Sequence, residues 1–225
     1  MIDEKQFQLL KKELEKIKNL PLGWGGRRQN NADDDKIDLF SINDIPTLAK
    51  NINHFDEFTK QYYIRRWMII KISDCDEYLF DQFDETEHNP DKYSKEYDFL
   101  VKDFKFDLKG TRVPAKFKKN ITEILIKPQQ IIDFYYMQQS NGRRLGMQNR
   151  LFVVTIDENN FSDELKLRLN FDIKRKAFKQ YIDKFDKDRN LFKFQFKDRT
   201  LFADIIFIIK NNEKIKIQIA SDLLN

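Results

Sequence analysis

With 225 residues, 40% of them hydrophobic and 21 of them Phe, the chain carries enough apolar mass for a sizeable core, and six Gly and five Pro exclude a low-complexity composition. Its 41 Lys and Arg barely outnumber its 37 Asp and Glu, so the net charge of +4 permits a nucleic-acid partner without demanding one. One cysteine excludes an internal disulfide, and with two histidines it leaves too few ligands for a structural zinc site or a histidine-based triad. Any catalysis must run through carboxylates and lysines, with or without a hard metal ion held by oxygen. No run reaches the ~18 apolar residues of a membrane span. Met1 opens a charged segment with no apolar signal core, so a cytoplasmic protein with no membrane partner is expected.

The length suits one domain over residues 1–225, with residues 1–54 as an appended segment. Phe7, Leu10, Leu14 and Ile17 recur at helical spacing and predict an amphipathic helix over residues 4–19, ended by Pro21. Residues 21–36 hold three of the six glycines and predict a mobile loop. Trp24 and the run Arg27-Arg28-Gln29-Asn30 place there the donors that contact base edges and phosphates. Asp33-Asp34-Asp35 reads as a solvated acidic turn. Residues 56–83 lack Gly and Pro and predict one long helix, or two broken near Ser73, with Asp74, Asp76 and Glu77 on it. A loop over residues 84–96 follows.

Residues 97–112, Tyr-Asp-Phe-Leu-Val-Lys-Asp-Phe-Lys-Phe-Asp-Leu-Lys-Gly-Thr-Arg, predict a β-hairpin turning at Lys102-Asp103. Pairing Val101 with Phe104 sets Leu100 against Lys105, Phe99 against Phe106 and Asp98 against Asp107. By strand alternation Asp98, Asp107 and Lys109 share one face, while Tyr97, Phe99, Val101, Phe104, Phe106 and Leu108 point toward a core. Opposed carboxylates repel, so the pair calls for something positive between them, such as a divalent cation with Lys109 beside it. Gly110-Thr111 should end the strand.

Beyond the hairpin lie Arg112 and a basic patch of Lys116, Lys118 and Lys119. A short strand is expected over residues 121–126, and a helix from Pro128 to about Gln139. Arg143 and Arg144 sit in a turn. Leu151 to Ile156 reads as a central strand, residues 162–185 as a helix started by Ser162, and residues 191–196 and 201–209 as strands. Residues 214–219 should form a last edge strand.

Asp98 followed by Asp107-Leu108-Lys109 resembles the signature of the PD-(D/E)xK nucleases, the fold of type II restriction endonucleases and of many repair and mobile-element nucleases. The resemblance covers residues 55–160 and is specific only at the hairpin. The literal Pro-Asp of that signature stands at Pro90-Asp91, but Asp98 has the strand register that Asp91 lacks. Asp98 is therefore taken as the first ligand, with Asp91 as the alternative.

The resemblance implies an α/β fold, a restriction-endonuclease-like mixed β-sheet with helices on both faces. It implies Mg²⁺, replaceable by Mn²⁺, held by Asp98, Asp107 and the Leu108 backbone carbonyl, with Glu77 as a further candidate acid. Lys109 would act on the attacking water or on a phosphate oxygen. The substrate would be double-stranded DNA, positioned by Arg27, Arg28, Arg112, Lys116, Lys118, Lys119, Arg143 and Arg144. One hairpin cuts one strand, so a homodimer cutting a short palindrome is expected. A repair, recombination or mobile-element nuclease, and a non-catalytic DNA-binding or interaction domain, stay open as alternatives.

Overall fold

Asp3 sets the start of the first helix. Its carboxylate accepts from the Gln6 N–H at 2.7 Å while the Gln6 side chain accepts from the Asp3 N–H at 3.1 Å, a reciprocal cap on α1 (Glu4–Ile17). The computed structural model describes the whole chain except residues 21–22, 27, 92–93, 95, 139–147, 161–163, 187–190 and 225. The chain divides into two compact units, Met1–Tyr78 and Leu79–Asn225. Among the described residues no helix is long and apolar enough to cross a membrane.

In the first unit, Phe7, Leu10, Leu14 and Ile17 of α1 are buried, as their spacing predicts. The following segment is more structured than expected. It contains a single-turn helix α2 (Asn31–Asp34) and an unanticipated helix α3 (Ile45–Ile52), capped by Asp44 and carrying Pro46 in its first turn. α2 and the stretch between the two helices are tied to α4 (Glu57–Phe80), which is continuous through Ser73. Trp67 donates from Nε1 to the Ile42 carbonyl at 2.8 Å, and buried Lys71 donates to the Phe40 carbonyl at 2.7 Å. The acidic turn is not a solvated one. Asp33 is buried and takes Lys36 at 3.0 Å, and Asp34 accepts from Tyr62 Oη at 2.7 Å and from Arg66 Nε at 2.9 Å.

The second unit is built on a mixed, mostly antiparallel sheet of seven strands among the described residues: β1 (Thr86–His88), β2 (Phe99–Val101), β3 (Phe104–Arg112), β4 (Arg150–Asp157), β5 (Phe192–Phe196), β6 (Arg199–Asn211) and β7 (Lys214–Ile219). The order is β1-β2-β3-β4-β6-β5, with β7 also on β6. β3, β4 and β6 run parallel and the other pairings are antiparallel. β1 occupies part of the expected 84–96 loop. Its Thr-Glu-His sequence has no apolar alternation to announce a strand, and pairing with β2 creates it.

Helices cover both faces of the sheet. A 3₁₀ turn (Ala115–Asn120) leads into α5 (Ile121–Ile126) and α6 (Gln129–Gln138). Residues 121–126 are thus helical rather than a strand: Ile121 and Ile124, three apart, are both buried, and this packing overrides the strand preference of branched residues. With Ile131, Ile132, Tyr135 and Tyr136 they cover Phe152, Val154, Ile156, Ile205 and Phe207 on one face. The expected 162–185 helix is two, α7 (Glu164–Arg168) and α8 (Phe171–Lys184), with Asn170 capping the second by accepting from the Ile173 N–H at 3.1 Å. Ser162 lies outside the described residues. On the other face Tyr181 of α8 and Phe185 meet Phe106, with ring centroids 6.3 and 5.5 Å apart. Asp204, fully buried in the apolar strand β6, accepts from the hydroxyl and, at 3.0 Å, the N–H of Ser221, which fixes the C-terminal turn.

Candidate functional site

The β2–β3 register is Val101 with Phe104, Leu100 with Lys105 and Phe99 with Phe106. Lys102 and Asp103 both have positive φ, 47° and 69°, which a two-residue primed turn requires and which matches the right-handed twist of the strands. Phe99, Val101, Phe106 and Leu108 are buried. β3 does not stop at Gly110-Thr111 but continues to Arg112, because residues 107–112 gain a second, parallel partner in β4.

One residue before the ladder, Asp98 donates from its N–H to the Phe106 carbonyl at 2.8 Å, and its carbonyl accepts from the Asn89 N–H at 2.9 Å. Its carboxylate is thereby turned toward β3, where Oδ2 accepts from the Leu108 N–H at 2.8 Å. Lys109 reaches both acids: its Nζ lies 2.7 Å from Asp107 Oδ1 and 3.6 Å from Asp98 Oδ2. The three residues selected from the hairpin register are brought together around one ammonium group. Burial pulls the Lys109 pKa down, but the Asp107 and Asp98 charges outweigh it and hold that pKa above the ordinary lysine value.

Sequence reasoning missed the fourth member. Arg150 opens β4 in direct register with Asp107, and paired residues of parallel strands point to the same face. Its Nε donates to Asp107 Oδ2 at 3.1 Å, and its guanidinium lies 5.2 Å from the centre of the Tyr136 ring. Its side chain is only 6% exposed, against 37% for Lys109. The one local signal was a charged residue at the head of an otherwise apolar strand. Nothing in the sequence states which strand lies beside β3.

The other candidates are dispersed. Asp91 is exposed in the loop after β1, where its N–H donates to Asn89 Oδ1 at 3.0 Å, and it holds no place in the β2–β3 register. Glu77, half-buried on α4, belongs to the first unit. Among the described residues no third His, Cys, Asp or Glu completes a three-member metal-binding group. Arg112 is exposed, with Nη1 3.7 Å from Glu164 Oε1. Lys116 and Lys119 are exposed and Lys118 is half-buried on the 3₁₀ turn, with Lys116 Nζ 4.2 Å from the centre of the Phe134 ring. Arg28 is exposed in the first unit, where Trp24 packs on α4 between Tyr62 and Arg65. Arg27, Arg143 and Arg144 lie outside the described residues.

Two carboxylates are hard oxygen donors suited to Mg²⁺ or Mn²⁺, and Lys109 Nζ already marks the point on which they converge. That donor set fits a divalent cation. Such an ion would have to take Asp107 Oδ1 from Lys109, since Arg150 holds the other oxygen. Compared with family models, curated proteins and solved structures, the chain matches none.

Proposed function

We propose that this chain is a metal-dependent DNA endonuclease of the PD-(D/E)xK type, with Mg²⁺ held by Asp98, Asp107 and the Leu108 carbonyl. The observation that carries the reading is the pair of acids on opposed strands sharing the Lys109 ammonium. A strand pair confronts like charges only at a cost, and cation binding offsets that cost. The topology agrees with the reading: hairpin, covering helices, then a strand parallel to β3, with helices on both faces.

When bound, Mg²⁺ supplies a Lewis acid for the scissile phosphate and an acidified water. The hairpin is a stiff mount for Asp98 and Asp107, which would hold the ion in the geometry that such chemistry needs. Lys109, released from Asp107, donates to a non-bridging phosphate oxygen or to the attacking water. Exposed Lys116 and Lys119, in the 3₁₀ turn after the catalytic strand, would contact the DNA backbone, whereas Arg112, which ends that strand, alternates to the face opposite Asp107 and Lys109. A type II restriction enzyme acting as a homodimer on a palindrome is the form this reading takes, because each chain brings one such hairpin.

A second reading has its own support. Asp98 and Asp107 are balanced by Lys109 and Arg150, so the cluster is already neutral without a metal and suits a non-catalytic DNA-binding or interaction domain. Incubating purified protein with phage or plasmid DNA, in Mg²⁺ or in EDTA, separates the two. Ends that form only in Mg²⁺ support the nuclease, and mapping them to one palindrome supports restriction over repair. Intact DNA in both arms leaves the non-catalytic reading.

A further inference from the structure

We propose that Arg150 is the positioning residue of this site: it holds one oxygen of Asp107 so that the other is offered to the divalent cation, and its charge sets how tightly that cation binds. The inference rests on the nuclease reading but has a readout of its own. Its ground is the contrast between the two cations on Asp107. Lys109 reaches Oδ1 from a flexible stem whose side chain is 37% exposed. Arg150 reaches Oδ2 from a side chain that is 6% exposed.

Arg150 is also caged. The Tyr136 ring beneath it is stacked on Phe194 at 4.6 Å with an interplanar angle of 11°, and its hydroxyl donates to the Gln148 carbonyl at 2.9 Å. A metal ion competing for Asp107 therefore displaces the exposed lysine and leaves the arginine in place. A planar guanidinium bonded at Nε constrains the plane of the carboxylate in a way that a lysine point charge does not. Burial keeps Arg150 away from DNA, so it acts through Asp107 alone.

The charges give the second half. Asp98, Asp107, Lys109 and Arg150 sum to zero, and a divalent ion makes the site +2, facing a phosphodiester of −1. Without Arg150 the bare site is −1 and should attract the divalent metal more strongly, by about tenfold for one unit charge ~6 Å away at water-like screening. Positioning and charge thus push in opposite directions: losing Arg150 should tighten metal binding and slow the reaction.

The test uses the full chain as wild type, Arg150→Met and Arg150→Lys. Mn²⁺ binding is read by the electron paramagnetic resonance of the free ion. DNA affinity and single-turnover cleavage are read separately. The Met variant should bind Mn²⁺ about tenfold more tightly, cleave about a hundredfold more slowly and keep wild-type DNA affinity. The Lys variant, which keeps the charge, should bind Mn²⁺ within about twofold of wild type yet still cleave at least about tenfold more slowly.

Unchanged or weaker Mn²⁺ binding in the Met variant, a wild-type rate in the Lys variant, or a defect confined to DNA affinity would each overturn the role of Arg150. If the Met variant does not fold, the Lys rate decides. Wild-type protein that neither binds Mn²⁺ nor cuts sinks the nuclease reading itself, a different result from any of these.

Discussion

Asp34 in the first unit and Asp107 in the second are both acids held by an arginine close to a tyrosine, yet they are wired differently. Asp34 takes Tyr62 Oη at 2.7 Å on one oxygen and Arg66 Nε at 2.9 Å on the other. Both donors lie on α4, about thirty residues along the chain, so each bond closes a loop onto a helix. Asp107 takes Arg150 in a similar way, but it shares Lys109 with a second acid, Asp98, from the opposing strand. One arrangement gives a single anion several donors; the other sets two anions against two cations, with Lys109 shared by both acids. The first ties chain segments together. The second gathers four charges that sum to zero, and on the proposed reading it is the metal site.

Replacing each acid by Asn tests this difference directly. Asp107→Asn keeps the shape and still accepts from Arg150, but it removes one of the two charges proposed to bind the metal. Loss of several kcal/mol of transition-state stabilisation should lower Mg²⁺-dependent cleavage about a thousandfold or more, with the circular dichroism spectrum preserved. Wild-type cleavage in Asp107→Asn would erase the distinction between the two clusters.

Asp34→Asn should have the opposite profile. It leaves Tyr62 and Arg66 one uncharged acceptor oxygen between them and turns an amide NH₂ toward the other, so urea unfolding should show a loss of about 1.5 kcal/mol, while Mn²⁺ binding stays as in wild type. Should Asp34→Asn prove as stable as wild type, its bonds to α4 would be surface decoration rather than the fastening of this segment.

The hairpin was legible because its information is local. Alternation of apolar residues and a two-residue turn fix which residues oppose, so Asp98, Asp107 and Lys109 could be grouped from sequence alone. Arg150 was not legible, because its register with Asp107 depends on which strands become parallel neighbours across 43 residues of chain. The same limit explains β1, whose polar Thr-Glu-His has no pattern apart from its partner. Residues 121–126 failed for another reason: branched residues favour strands, but burial of Ile121 and Ile124 decided for helix. α3 does carry a local signal, since Asp44 followed by Pro46 marks a helix start. The acidic turn misled because a run of three aspartates looks solvated until the Tyr62 and Arg66 of a distant helix are seen to meet it.

Tyr62 offers the finest test of the first cluster. Its hydroxyl donates to Asp34 Oδ1 and also lies 3.2 Å from the Asn30 N–H, from which it accepts. Burial, and then the hydrogen bond to Asp34, push its pKa up from 10.0 to about 12. A folded-state pKa above the unfolded one favours the protonated form. The stability it contributes is therefore complete below pH 10 and is lost as pH rises through about 12. Over that window wild-type stability should fall more steeply than that of Tyr62→Phe, which has no phenol to ionise. Absorbance at 295 nm should show one late-titrating tyrosine fewer in Tyr62→Phe. In Asp34→Asn the same phenol should titrate earlier, because the charged acceptor that helps hold its proton is gone. Identical alkaline slopes in wild type and Tyr62→Phe would show that the hydroxyl is not locked to Asp34 in solution, and that the first cluster is looser than its distances indicate.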